Sequence, residues 1–524
     1  MSHWFPDGCV ASPHHLASSA GQAVLASGGN AVDAAVAANL VLSVVTPYYC
    51  GVGGDLLAIV WDGEATGVLS AGAAPGGATP EAIREAIDAG HGDAEVSFPG
   101  TAGMPMFGAL PVTVPGAAAG WHHLLERWGS RSFGDLAQSA HRLAVEGFPV
   151  SPHGAGFTAR ARARFAGQPG WEEHYGQMRA GERFVQTDLA ATLKVLADDG
   201  PDALYHGEIG AAIVEELQRR GSTMTQDDLA GHEVEEVEPL RGSYRDAEVL
   251  ELPPPTQGLT ALTALGILDA LGPLPSEPQL AAHVQVEAVR AAMADRQQYL
   301  ADGPAMPVPA EQLLAPERLQ AMAKGIALDR AADWPPSRPA PGGTAYLCAA
   351  DRDGLLVSLI QSNFVGFGSG VVVPGTGIGL QDRGAHFSLD PADPNVIAPG
   401  KRPMHTLIPA MVLRDGRPWL VLGTMGGDGQ PQIHVQLLGH LVDCGVDAQR
   451  AIEAPRWVVD PADGTLRIES RAGDLADALI ARGHEVAFLD AYDHGVGHAH
   501  AIEVTDVGYA AGSDPRCEGA MVGL

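Results

Sequence analysis

Gly342-Gly343-Thr344-Ala345-Tyr346-Leu347-Cys348-Ala349-Ala350-Asp351, followed by Leu355-Leu356-Val357-Ser358-Leu359-Ile360-Gln361-Ser362-Asn363, is the stretch on which the reading of this chain turns. A proline-rich loop (Pro335, Pro336, Pro339, Pro341) runs into two glycines and then into an apolar strand, so Thr344 stands where loose chain meets sheet. If the bond between Gly343 and Thr344 were opened, Thr344 would carry a hydroxyl and a free α-amine on one residue. An α-amine with an unperturbed pKa of about 8 is partly neutral near pH 7 and can take the hydroxyl proton, so such a residue holds its own base. The plain alternative is a loop that ends in a β-branched strand residue.

Further along, the chain carries Gly366-Phe367-Gly368-Ser369-Gly370, Gly375-Thr376-Gly377-Ile378, Lys401-Arg402-Pro403, Gly426-Gly427 and Gly512-Ser513-Asp514-Pro515-Arg516. Read with the Thr344 stretch, and in this order, they make the second part of the chain resemble the small subunit of the gamma-glutamyltranspeptidase family. The first part resembles that family's large subunit over residues 28–61, Val114-Pro115-Gly116, Leu252-Pro253-Pro254-Pro255-Thr256-Gln257-Gly258 and Ala294-Asp295-Arg296-Gln297-Gln298-Tyr299-Leu300. The resemblance implies an α+β fold, the four-layer αββα sandwich of the N-terminal-nucleophile hydrolases, made as one inactive chain that cuts itself before the threonine. The expected parts are a large subunit of residues 1–343 and a small catalytic subunit of residues 344–524. They should stay one interleaved unit because the sheets need both.

Composition narrows the field from another side. A length of 524 residues would ordinarily suggest several domains, and a 46% hydrophobic content supplies a large core. With 63 acidic against 32 basic side chains, the net charge of −31 argues against nucleic acid and anionic membrane as partners. Five scattered cysteines, Cys9, Cys50, Cys348, Cys444 and Cys517, suggest neither a disulfide framework nor a Cys-x-x-Cys metal site. The N-terminus lacks a basic region followed by an apolar core, and the apolar run over residues 31–45 is interrupted by Asp33 and Asn39. The expected location is the cytoplasm.

The alanine-rich run after Gly28-Gly29-Asn30 predicts a buried helix with a capped start and Asp33 in its first turn. The glycines at 51, 53 and 54, before the strand of residues 56–61, predict close approach of backbone to a neighbouring strand or a ligand. Between about 129 and 239 apolar residues recur at helical spacing and read as scaffold. Residues 302–343, rich in proline and acid without lasting periodicity, read as the linker that presents the cut. Hairpins are expected around Asp351-Arg352-Asp353-Gly354 and Arg414-Asp415-Gly416-Arg417.

For the site, the resemblance implies Thr344 as nucleophile, Gly426 and Gly427 as backbone donors to the oxyanion, and Ser362 in place of a threonine that hydrogen-bonds the nucleophile. Gly426-Gly427 read without it could equally be a strand-terminating turn. Gamma-glutamyl enzymes hold the substrate α-carboxylate with an arginine in the segment matching Leu69-Ser70-Ala71-Gly72-Ala73-Ala74-Pro75, where this chain has none. The glutamine and aspartate that hold the α-amine fall on Arg383 and His386, and a serine pair on His405 and Thr406. An acidic wall is thus expected to become a basic one, with Arg383 gripping a carboxylate, and Asn363 also lining the pocket. A stretch over residues 390–401 without a lid insertion leaves room for larger ligands.

No cofactor and no metal is expected. His498-x-His500 puts two imidazoles on one strand face beside His494, but no carboxylate of known ligand spacing accompanies them. The partners expected are a small acidic amide or gamma-glutamyl substrate and the two fragments of the same chain, with a homodimer of processed heterodimers left open. Three readings follow: a self-processing gamma-glutamyl-type amidohydrolase or acyltransferase, an oxamate-type amidohydrolase or cephalosporin acylase of the same family, and a non-catalytic binding protein that keeps the fold. Retention of Thr344, Ser362 and Gly426-Gly427 together speaks against the last.

Overall fold

The computed structural model describes residues 1–166, 168–333 and 343–524. The four prolines before the expected cut, and Gly342, lie outside the described residues.

The runs around Thr344 pair as the alternating apolar pattern requires. Gly343–Ala350 and Leu356–Phe364 form an antiparallel hairpin with Thr344 opposite Ser362. Both strands are buried along their whole length, which is why they read as continuous apolar runs. Successive side chains leave opposite faces. Ala345, Leu347 and Ala349 enter a core under one layer of helices, whereas Tyr346, Cys348 and Ala350 enter a second core between two sheets.

The sheet that holds Thr344 has seven strands in the order Ala520–Gly523, Cys9–Ser12, Gly343–Ala350, Leu356–Phe364, Asp55–Trp61, Ala65–Ser70 and Glu235–Val237. The facing sheet also has seven, in the order His3–Phe5, Gly508–Ser513, His498–Thr505, Arg417–Met425, Ala410–Arg414, Ala247–Glu251 and Leu240–Tyr244. Each sheet therefore mixes strands from before and after residue 343, so neither half of the chain holds a complete core. A third apolar core joins the facing sheet to Gly258–Leu271, Pro278–Tyr299 and Gly429–Leu438. The layers are helix, sheet, sheet, helix, as expected.

The helix Ala31–Val45 is buried at all 15 positions, with Asn30 as N-cap and Asp33 completing a capping box. Such a cap is worth about 1 kcal/mol; burial of the alanine-rich surface against the Thr344 sheet stabilises the helix more. Helices Phe133–Glu146, Pro152–Arg164, Thr187–Asp199 and Glu208–Arg219 occupy the region read as helical scaffold.

The reading of residues 302–343 as linker is corrected in part. Helices Ala310–Leu313 and Pro316–Lys324 form there, because Leu319 and Ala323 join the outer core and Leu319 seats against Gly266. Two short helices with one buried turn each leave too little periodicity to show in sequence. Among the described residues no helix is long and apolar enough to cross a membrane, and all five cysteines are free.

Candidate active site

Strand pairing sets three side chains in one row. Thr344 lies opposite Ser362, and Ser362 lies opposite Asp55 on the next strand; residues directly opposite in a sheet share a face. The Thr344 hydroxyl donates to Ser362 Oγ at 3.0 Å, and Ser362 Oγ donates to the Gly343 carbonyl oxygen at 2.7 Å. Ser362 Oγ also accepts from the Phe364 N–H at 2.8 Å, which fixes its rotamer. The pairing shifts register between Gly343 and Thr344, the irregularity that turns the Gly343 carbonyl toward Ser362. A Cβ on Gly343 would lie 2.9 Å from both Gly366 N and Tyr48 O, so only glycine fits before the threonine without moving backbone.

Asp55, which the sequence reading passed over, organises the next part. It is fully buried. Its Oδ1 accepts from Gln381 Nε2 at 2.9 Å and Gly72 N at 3.1 Å, and its Oδ2 meets His405 Nε2 at 3.0 Å. His405 Nδ1 accepts from the Leu407 N–H at 3.3 Å, so the Nε2 proton points at Asp55. Burial, followed by the nearby Arg383, lowers the His405 pKa to about 4, so the ring is neutral near pH 7. The signal for Asp55 was present: a carboxylate opening an otherwise apolar strand behind three glycines. The glycines give way mostly to protein, since added Cβ atoms at Gly53 and Gly54 would meet Gly379 O at 2.3 Å and Asn363 Oδ1 at 2.5 Å.

Arg383 sits in the short 3₁₀ turn Arg383–His386 and is fully buried. Its Nη1 donates to Thr406 Oγ1 at 2.8 Å, its Nε lies 4.0 Å from Asp55 Oδ2, and its guanidinium lies 4.1 Å from the centre of the Phe364 ring. Burial lowers its pKa to about 10, with Asp55 and then Asp382 opposing the shift, so it stays charged near neutrality. Among the described residues, Nε and Nη2 have no hydrogen-bond partner. These two groups form one edge of the guanidinium, the edge that matches a carboxylate bidentately. An unfilled buried donor costs roughly 1–3 kcal/mol, so this edge favours an incoming anion. The wall is therefore not simply basic: Asp55 offsets Arg383, and His405 carries no charge.

Gly426 and Gly427 close the strand Arg417–Met425 with φ of +150° and +54°, which favours glycine at both positions. Their carbonyls are committed to Gly429 N at 2.8 Å, Gln430 N at 3.2 Å and Gln257 Nε2 at 2.7 Å, so what the turn has to offer a ligand is N–H. The packing between sheets carries it toward Thr344. Ser358, opposite Cys348, reaches Leu422 O at 3.4 Å, and Tyr346 packs on Gly423, where a Cβ would lie 2.3 Å from its ring. Each step from Cys348 toward Thr344 is thus a step from Leu422 toward Gly426.

Gln257 ties the two halves of the site together. Its Nε2 donates to Thr406 O at 2.9 Å as well as to Gly427 O, and its Oε1 accepts from Arg296 Nη1 at 2.9 Å. Arg296 in turn pairs with Asp428. Two motifs that had no role in sequence, around residues 252–258 and 294–300, therefore hold the Gly426-Gly427 turn.

The structure brings Thr344, Ser362, Arg383, Thr406 and His405 into one connected network. His386 and Asn363 stand at its edge. His386 is buried edge-on to Phe364 and Phe98, with ring centres 5.1 and 5.8 Å away. The Asn363 carboxamide packs on Gly51 and Gly54, and among the described residues its Oδ1 has no hydrogen-bond partner. Neither Phe98 nor Phe364 was singled out in sequence.

His494, His498 and His500 do not converge as a metal-donor group among the described residues. His500 Nδ1 bonds Ser513 Oγ at 3.1 Å, and the ring of His498 packs near Tyr49 and His153. Three donors do come together at His283, Glu287 and His484. There the two imidazoles are hydrogen-bonded at 2.8 Å, with His283 Nε2 donating to Ala327 O at 2.8 Å, so a shared proton suffices to explain the pair.

Comparison with known proteins places the chain in a family. The gamma-glutamyltranspeptidase family model matches residues 17–524. A glutathione hydrolase-like proenzyme of Bacillus subtilis is 37% identical, with 98% of each chain covered. An oxamate amidohydrolase proenzyme of Klebsiella pneumoniae is also 37% identical, again over 98% of each. Among solved structures, a cephalosporin acylase from Bacillus halodurans superposes with a TM-score of 0.92 at 35% identity, covering 100% of this chain and 97% of that one. The chain thus belongs to the gamma-glutamyltranspeptidase family, a family of enzymes whose named relatives here are proenzymes.

Proposed function

We propose that this protein cuts itself between Gly343 and Thr344 and then uses Thr344 as an N-terminal nucleophile to cleave an amide whose acyl side carries a carboxylate. The observation that carries the first half is the chain of two hydrogen bonds from the Thr344 hydroxyl through Ser362 to the Gly343 carbonyl oxygen. Attack of Thr344 Oγ1 on the Gly343 carbonyl carbon puts negative charge on that oxygen. Ser362 gives its proton there and takes the one leaving Thr344. The C–N bond then breaks, the nitrogen takes a proton, and an ester joins Gly343 to Thr344 Oγ1. Water hydrolyses the ester, leaving a Gly343 carboxylate and a free Thr344 amine.

The second half of the proposal rests on what that amine adjoins. It takes the Thr344 hydroxyl proton during attack on a substrate amide and returns it to the departing amine. The Gly426 and Gly427 N–H groups, at about 3–4 kcal/mol per donor, suit the developing oxyanion. The open edge of Arg383 favours a carboxylate on the acyl group. Water then resolves the acyl-enzyme. The relatives named for glutathione hydrolase-like and oxamate amidohydrolase proenzymes support this reaction class.

Intact-mass measurement of wild type beside Thr344→Ala tests the reading. Fragments beginning at Met1 and Thr344 in wild type only are expected; an uncut wild-type chain that still turns over amides would overturn it.

A further inference from the structure

We propose that the cavity of about 510 Å³ bounded by Phe98, Phe157, Met425, Gly426 and Val458 receives the amine side of the scissile amide, and that this amine carries a neutral aromatic ring. The inference rests on the amidase reading of Thr344 and adds the chemistry of the leaving group.

Three observations place the cavity there. Gly426 belongs both to its wall and to the turn that the amidase reading assigns to the oxyanion. Phe98 lines it on one side and touches Phe364 and His386 on the other, with ring centres 5.8 Å from each, so it stands between the cavity and the Phe364 ring on which Arg383 rests. Ala462, Arg467 and Gly495 on its wall are exposed to solvent, whereas Arg383, Thr406 and His405 are fully buried. The group that must depart needs the open side.

The lining sets the chemistry. Phe98, Phe157, Met425, Val458, Val459 and Pro461 are apolar. The carboxylates and the amide among them are already committed, and the His494 ring lies 5.4 Å from that of Phe157. Asp428 pairs with Arg296, and Asp460 with Arg467. Gln432 bonds Asp428 O, Val459 O and Val459 N at 2.7 to 3.1 Å. An ammonium group would find no open carboxylate among these side chains, while a flat ring meets two phenyl faces, the His494 ring and a thioether. Size points the same way: ammonia is close to water in bulk, which takes ~30 Å³, whereas 510 Å³ is the volume of a small-molecule site. The substrate is thus an aryl or aralkyl amide of a short acid rather than a primary amide.

The test is fluorescence titration of the purified protein with 1-naphthylamine, beside methylamine. Saturable binding of the naphthylamine alone is expected, weakened at least tenfold in Val458→Trp and kept in Val458→Ala. Ala462→Trp, a change at an exposed position, should weaken it too and does not depend on Val458→Trp folding. No saturable binding in wild type, or unchanged affinity in both Trp variants, would overturn the proposal. A protein that binds the amine but hydrolyses no acidic anilide keeps the subsite and removes the amidase reading; one that hydrolyses but does not bind does the reverse.

Discussion

The Ser362 hydroxyl donates to the Gly343 carbonyl oxygen at 2.7 Å, across the bond at which the chain is expected to open. Ser362→Ala removes both the donor to that oxygen and the acceptor for Thr344, so self-cutting should slow by about 10²-fold or more. Ser362→Thr keeps the hydroxyl and should stay within about tenfold, the added methyl being the only cost. A time course of the two fragments by intact mass checks this, and cutting of Ser362→Ala at the wild-type rate would exclude the relay.

Arg383 makes a sharper demand. Removing it takes away the open edge that suits a carboxylate and leaves Asp55 buried with less compensation. Arg383→Ala should lower kcat/KM on acidic anilides by about 10²-fold while changing a neutral anilide less than about threefold. It should also cost about 3 kcal/mol of stability, the usual penalty for a buried charge that loses its partner. Equal losses on both substrates would mean that Arg383 only holds the fold.

How much of this could be read beforehand depended on whether a residue acts through its neighbours in sequence or across strands. The Thr344 hairpin, the capped helix at Asn30 and the Gly426-Gly427 turn were legible because alternation, capping and glycine are local signals. Asp55 was not, because its meaning comes from His405, Gln381 and Arg383, more than 300 residues away and placed by sheet register. Phe98 was missed for the same reason: a lone aromatic in a loop shows no period. Arg383 and His405 were picked out through the family resemblance, but that Asp55 balances one and that the other stays neutral are consequences of burial.

Gln257 is a positioning residue, and its loss should show in rate more than in binding. Gln257→Leu removes the donor that the Gly427 and Thr406 carbonyls share and one of the acceptors of Arg296. A drop of about tenfold in kcat with KM within about threefold is expected, together with about 1–3 kcal/mol of stability. Steady-state kinetics on one acidic anilide separates the two, and a change in KM alone would assign Gln257 to substrate binding.

Acid should unfold the protein through its buried histidines. Burial lowers His232, His405 and His500 to about 4, chiefly by desolvation of the imidazolium. A depressed folded pKa means that the unfolded chain binds more protons between about 6.5 and 4, so the contribution is present above 6.5 and is lost as pH falls through 4. At pH 5 each histidine forfeits on the order of 2 kcal/mol. Glu251 runs the other way: burial raises it despite its bond to His434 at 2.8 Å, so its contribution is present at low pH and lost as pH rises through its folded pKa. Buried Asp382 is raised as well, but His14, His122, His153 and His484 are lowered alongside the three named, so the histidines outweigh the two carboxyls and urea unfolding at pH 7.5 and pH 5 should show several kcal/mol less stability at the lower value. His405→Asn should recover part of that difference, since asparagine titrates nowhere in the range. Equal stability at the two pH values would mean that these imidazoles are solvated or paired in ways their burial denies.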